Sequence, residues 1–236
     1  ITLAQPELLR DSVKVLSGLI TEVRLNISKE GLKIVEHDPA NVGMAVYHLL
    51  PSVCIEYETQ QEPFSIGLNL ENLLAILKNA KKSDILILSL DADTENIGDK
   101  PSQNLNISLK GSMTRNYTLP LLDLSDNAEA KIPNLEFKAK VKMLSGDFDD
   151  AVKEADTIAN SIVFEAIAFV EISPEHKPEQ IQKSFTMSAE GDLNKLRIPF
   201  REVEDTKIEG SAKAKYSIEY LKKMAAAKCL SDEVIL

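Results

Sequence analysis

A helix-and-strand pattern that occurs twice in 236 residues is the strongest constraint on the fold of this chain. Glu7 to Ile20 places Leu8, Leu9, Val13, Leu16, Leu19 and Ile20 along one helical stripe, with Arg10, Asp11 and Lys14 elsewhere. Val23, Leu25 and Ile27 then alternate with Arg24, Asn26 and Ser28, the period of a strand with one solvated face. Moved on by 139 positions, Leu9, Val13, Leu16, Leu19, Val23 and Leu25 meet Phe148, Val152, Ala155, Ile158, Ile162 and Phe164. A second helix over Leu70 to Ala80, apolar at Leu70, Leu73, Leu74 and Leu77, repeats at a spacing of 148. There Glu71, Leu73, Ser83, Asp84, Ile87 and Leu88 fall on Glu219, Leu221, Ser231, Asp232, Ile235 and Leu236. Both copies read helix, short basic end, Ser-Asp, apolar strand, and a duplicated domain accounts for the shared order.

The intervening segments fill in each copy. Gly31 closes a turn, Leu32 to Val35 and Gly43 to Leu50 read as strands, and Ile85 to Leu90 is an almost wholly apolar strand. Asp91 to Gln103 reads as a polar, acidic loop, followed by a hairpin of Asn104 to Leu109 and Met113 to Leu119 around Lys110-Gly111. Residues 121–134 hold no sustained period and read as an extended connector between a domain over 1–120 and another over 135–236. Leu122, Leu124 and Ile132 are too apolar for a free linker and are expected to lie against a surface. The first copy continues past Leu88 into the hairpin, whereas the second stops at Leu236. The expectation is a chain truncated at its C-terminus, with sheet edges left open, and trimmed at its start, where Met is absent.

Charge and motifs narrow the function. Lys and Arg number 27 against 37 acids, a net charge of −10, which excludes a uniformly basic nucleic-acid binder and argues against a polybasic membrane-surface protein. No apolar run approaches a membrane span or a signal peptide, so no membrane partner is expected. Cys54 and Cys229 alone supply neither a disulfide framework nor a Cys-rich metal site, as in a reduced, intracellular protein. Phosphate-binding glycine loops, a nucleophile elbow and paired-His metal motifs do not occur, so no enzyme, metal or cofactor is expected. Asp147, Asp149 and Asp150 follow Ser145-Gly146, where carboxylates suit a helix start, with metal ligation the competing reading. Asp91 and Asp93 lack the glycine and closing Glu of a calcium loop. His37-Asp38-Pro39 suits either a base with its orienting partner or the start of a turn.

Four segments carry a resemblance: Ile-Val-Glu-His-Asp-Pro-Ala-Asn-Val-Gly-Met (34–44), Leu-Pro-Leu-Leu-Asp-Leu (119–124), Phe-Thr-Met-Ser-Ala-Glu-Gly-Asp-Leu (185–193) and Lys-Tyr-Ser-Ile-Glu-Tyr-Leu-Lys-Lys-Met (215–224). In order and spacing they resemble the sliding-clamp family, proliferating cell nuclear antigen and its archaeal relatives, over nearly the whole chain. The resemblance implies two similar α+β domains per chain and three chains closed into a ring, with helices lining the hole and sheets outside. It implies a processivity factor that encircles duplex DNA without reading bases and tethers DNA polymerase, clamp loader, nuclease and ligase through short peptide motifs, in an archaeal cytoplasm or a nucleus. The alternative is an acidic adaptor subunit of a heterotrimeric or checkpoint-type clamp.

The same resemblance assigns residues. Over helices 6–19, 70–82, 145–158 and 217–228, nine cations face nine acids, so the rest of the chain holds the whole −10. Arg10, Lys78 and Lys153 fall at channel-facing positions, with Lys14, Lys81, Lys82, Lys222, Lys223 and Lys228 as further DNA candidates. Lysines late in a helix also suit its dipole, so that reading stands beside DNA binding. The partner pocket would use His37, Asn41, Val42 and Met44 with Leu124, Ile132 and Pro133, unless Val42 and Met44 simply pack the core. Ring closure would join Met113–Leu119 of one copy to Leu193–Phe200 of the next, through Tyr117, Leu119, Leu196 and Ile198 with Ala151 and Val152. Pairing of those strands within one sheet is the alternative.

Overall fold

A computed structural model describes residues 1–59, 63–90, 104–124, 130–171, 180–200, 207–208 and 210–236. They form two compact units, Ile1–Ile132 and Pro133–Leu236. The expected acidic loop over 91–103, with Asp91 and Asp93, and the connector residues 125–129 lie outside the described residues.

The first unit runs β1 (Thr2–Leu3), α1 (Pro6–Ser17), β2 (Glu22–Ser28), β3 (Gly31–His37), β4 (Met44–Leu49), β5 (Phe64–Asn69), α2 (Leu70–Leu77), β6 (Ile85–Leu90), β7 (Asn104–Lys110) and β8 (Thr114–Pro120). Pro6 opens α1, where its missing N–H costs nothing, and Leu9, Val13 and Leu16 form the buried stripe. Asn69 caps α2 by accepting the Asn72 N–H at 3.0 Å. Two antiparallel sheets, β4-β3-β2-β5 and β1-β6-β7-β8, share one aliphatic core with both helices. Val23, Leu68, Leu70, Leu77, Leu86 and Leu109 are fully buried in it.

The second unit runs β9 (Ala139–Lys140), β10 (Lys142–Leu144), α3 (Ser145–Asp156), β11 (Ser161–Glu171), β12 (Gln180–Glu190), β13 (Lys195–Phe200), β14 (Lys207–Ile208), β15 (Ala212–Ser217), α4 (Ile218–Ala225) and β16 (Glu233–Ile235). Its sheet order β13-β12-β11-β15 reproduces β4-β3-β2-β5, and β10-β16 reproduces β1-β6. Even the register carries over. Thr2 pairs with Ile87 and Leu3 with Leu86, as Lys142 pairs with Ile235 and Met143 with Val234. Here the core is partly aromatic: Phe164 meets Phe148 and Phe185 edge-on at centroid distances of 6.4 and 5.8 Å. The last helix is shorter than the sequence period suggests, because after Ala225 the backbone tightens into a 3₁₀ turn over Ala226–Cys229.

Three sheet edges differ in how they are covered. Among the described residues, β8 pairs only with β7 and β13 only with β12, so each exposes one edge. On β5, by contrast, Leu122 N–H donates to the Gly67 carbonyl at 2.9 Å and begins to cover the edge. Any Cβ at position 67 would run into the Leu122 carbonyl, so Gly67 is what allows this approach.

Candidate nucleic-acid and partner interfaces

The helix cations divide by unit. In the first, Lys14, Lys78, Lys81 and Lys82 are exposed, and among the described residues no carboxylate lies within ion-pair distance of them. Arg10 is half-buried, and its Nε donates to Asp11 Oδ1 at 2.9 Å. In the second unit every candidate cation has an acid. Lys153 Nζ donates to Asp149 Oδ2 at 2.6 Å and Lys222 Nζ to Asp156 Oδ2 at 2.6 Å. Lys228 also donates to Asp149, while Lys223 lies 3.5 Å from Glu219 and over the Tyr220 ring. Hydrogen bonds from Lys153 and Lys228 hold the Asp149 carboxyl below the usual carboxylate range, and Asp149 in turn raises Lys153.

Asp149 lies within α3, and its carboxylate is committed to two lysines. It is 7% exposed, α3 has no side-chain cap bond at its start, and the carboxylate faces two lysines. Among the described residues no three His, Cys, Asp or Glu side chains cluster as a metal site would require. The neutral average over the helices conceals a split. Those of the first unit hold five cations against three acids, and those of the second hold four against six.

Two of the partner-pocket residues, His37 and Met44, lie on one sheet face. His37 pairs with Met44 and Val35 with Val46, and strand alternation places all four opposite the core residues Leu32, Ile34 and Leu49. Arg24 and Gly67 share that face, and the Arg24 guanidinium donates to the Leu124 carbonyl. The connector is thus pinned beside the sheet at Leu122 and Leu124, both half-buried. Ile132, expected against a surface, is instead 52% exposed, and Pro133 is exposed as well.

Above this face stands the β3–β4 loop. The buried Asp38 carboxylate accepts the N–H groups of Ala40, Val42 and Gly43 at 3.0, 2.7 and 2.6 Å. That carboxylate organises the turn and leaves Asn41 at its tip with φ +54° and Val42 67% exposed. Val42 is therefore no core residue, and Met44 is half-buried. Arg24 and Val46 (50% exposed) share this face without having been sequence candidates, although their outward strand positions were a readable signal.

The expected subunit contacts separate into two groups. Tyr117, Leu196 and Ile198 are half-buried and sit on the open-edged strands β8 and β13. Leu119, Ala151 and Val152 are 5%, 4% and 0% exposed, so their side chains pack the cores of their own units and offer no side-chain surface. An apolar residue reads the same in sequence whether it faces a core or a neighbour. Met113 (64% exposed) and Leu193 (96% exposed) carry the apolar surface at the starts of the two segments instead. No helix among the described residues is long and apolar enough to cross a membrane.

The chain is similar in sequence and in fold to archaeal sliding clamps. DNA polymerase sliding clamp 1 of Thermococcus kodakarensis is 32% identical over 231 residues, covering 96% of this chain and 82% of the relative. The crystal structure of PCNA from Thermococcus kodakaraensis superposes with a TM-score of 0.81 at 24% identity, covering 100% of this chain and 87% of that one. A. fulgidus PCNA bound to the C-terminal region of FEN-1 gives a TM-score of 0.78 at 24% identity, covering 95% and 81%. The family described as "Proliferating cell nuclear antigen, N-terminal domain" matches residues 1–127, and with the relative's identity over nearly the whole length it establishes that this chain belongs to the proliferating cell nuclear antigen family.

Proposed function

We propose that the chain is a DNA polymerase sliding clamp. Three copies close into a ring through β8 of one and β13 of the next, and duplex DNA passes through without its bases being read. The observation that carries this reading is the pair of open edge strands, seven and six residues long, one in each unit of a duplicated chain. A head-to-tail contact between unlike edges closes a ring of copies, and it satisfies backbone groups that would otherwise stay unpaired. DNA meets the cations of α1 and α2 and of the turn after α2, chiefly Lys78, Lys81 and Lys82, with Arg10 and Lys14. Phosphate contacts of this kind are sequence-independent and permit sliding.

Partner peptides dock on the outer face of β4-β3-β2-β5, between the Asn41–Met44 loop and the pinned connector at Leu124. A. fulgidus PCNA, similar to this chain, is bound by the C-terminal region of FEN-1, which supports a peptide-binding role. The role is that of a non-catalytic cytoplasmic scaffold. Sedimentation is expected to give three times the 26.1 kDa chain mass, and primer extension on circular DNA with a loader and polymerase to give longer products. A chain that stays monomeric at all concentrations and leaves product length unchanged would sink this function and favour the adaptor subunit.

A further inference from the structure

We infer that the buried Asp84 and the half-buried Arg115 form a brace that positions Lys81 and Lys82, tying the lysine-bearing turn after α2 to the edge strand β8. The DNA role of the lysines rests on the function proposed above; the brace itself rests on geometry. Asp84 is 2% exposed, although a lone buried carboxylate is strongly disfavoured. Its Oδ2 accepts the Lys81 N–H at 2.8 Å and also the Arg115 guanidinium, while its own N–H donates back to the Lys81 carbonyl at 3.0 Å. Residues 81–84 are thus closed into a turn from both ends. Arg115 in addition donates from Nη1 to the Asn79 carbonyl at 2.6 Å, taking up an acceptor just past the end of α2.

A third element locks the arrangement. A Cβ at Gly111, in the β7–β8 hairpin, would collide with the Asp84 carboxylate, so the hairpin closes directly over that carboxylate. Arg115 leaves its buried Nε unpartnered among the described residues, so this guanidinium is committed to the turn through its two terminal nitrogens. Its fork is what reaches both Asn79 and Asp84, a geometry Lys lacks. Lys81 and Lys82 remain exposed on the outside of the turn. The repeat gives no warning of this role, because the counterpart of Asp84, Asp232, is exposed.

Hydrogen exchange of the intact chain tests the brace without DNA. In Asp84→Ala and in Arg115→Gln, exchange at the Lys81 amide is expected to rise roughly tenfold or more, the equivalent of one lost hydrogen bond. Arg115→Lys keeps the charge and guards against a variant that fails to fold; it should give a partial rise. Lys81→Gln keeps the backbone and should leave exchange unchanged. Retention on nicked circular DNA adds a readout that generalised destabilisation would not reproduce. Adding Asp84→Ala to Lys81→Gln with Lys82→Gln should cause no further loss, because brace and lysines act as one unit. Unchanged Lys81 exchange in Arg115→Gln, or losses that multiply in the combined variant, would overturn the brace. If the lysine pair alone leaves retention unchanged, the DNA reading falls, while the exchange result still decides the brace.

Discussion

The helices of the two units carry five and four candidate cations, and the lysines among them stand in opposite electrostatic states. In the first unit Lys14, Lys78, Lys81 and Lys82 project without a carboxylate within ion-pair distance among the described residues, while Arg10 pairs with Asp11. In the second, Lys153, Lys222, Lys223 and Lys228 are all engaged by acids of their own unit. A lysine already held by a carboxylate must give up that partner to meet a phosphate, so its net gain on binding is small. Duplication copied the scaffold, and the charges were then distributed differently on each copy.

Charge reversal should break the symmetry most visibly. Lys81→Glu with Lys82→Glu should shorten retention on nicked circular DNA on the order of tenfold or more. Lys222→Glu with Lys223→Glu should cost no more than about threefold. Equal losses would mean that the internal ion pairs do not mute the second unit.

Asp149→Asn sharpens the same contrast by freeing Lys153 and Lys228 together. The salt dependence of DNA binding should steepen, by up to about two in log–log slope. Stability should move the other way. The Asp149 carboxyl is depressed when folded, so its contribution is fully present above the unfolded value near 3.8 and is lost as pH falls through the folded value. Denaturation should therefore show a constant difference between wild type and variant from pH 7 down to pH 3.8, and a shrinking one below it. A difference that does not shrink below pH 3.8 would rule out the ion pairs as its source.

The smallest effect lies in the helix starts. Asn69→Ala should cost about 1 kcal/mol in the unfolding of the first unit, because its side chain caps α2. At the repeat position in the second unit, Ser217 makes no side-chain cap bond, and Ser217→Ala should stay within roughly 0.5 kcal/mol. Urea titration of each variant compares them, and a reversed order would show that the capping geometry does not govern helix stability here.

Much of the fold was legible from spacing. The stripe at Leu9, Val13 and Leu16 and its echo at Phe148, Val152 and Ala155 mark two helices, and both triplets are buried. The short strands β1 and β10 were not read from spacing, and the register that repeats between β1 on β6 and β10 on β16 came only from the structure. The candidate site was legible only by residue type. Val152 read as an interface contact and lies in the core; the helix start before Asp149 was readable, but its two lysine partners were not. Asp84 and Asp232 fall at equivalent positions of the repeat, yet one is buried beneath a hairpin and the other is exposed.

The alternation of apolar and polar residues thus specifies helices, strands and the duplication, since those periods follow from backbone geometry within a few residues. Which cations are free and which carboxylates are buried follows from packing between distant segments. Lys228 reaches Asp149 across 79 residues of chain and Arg115 reaches Asp84 across 31. An ion pair depends on where two side-chain tips arrive, and no local period encodes that.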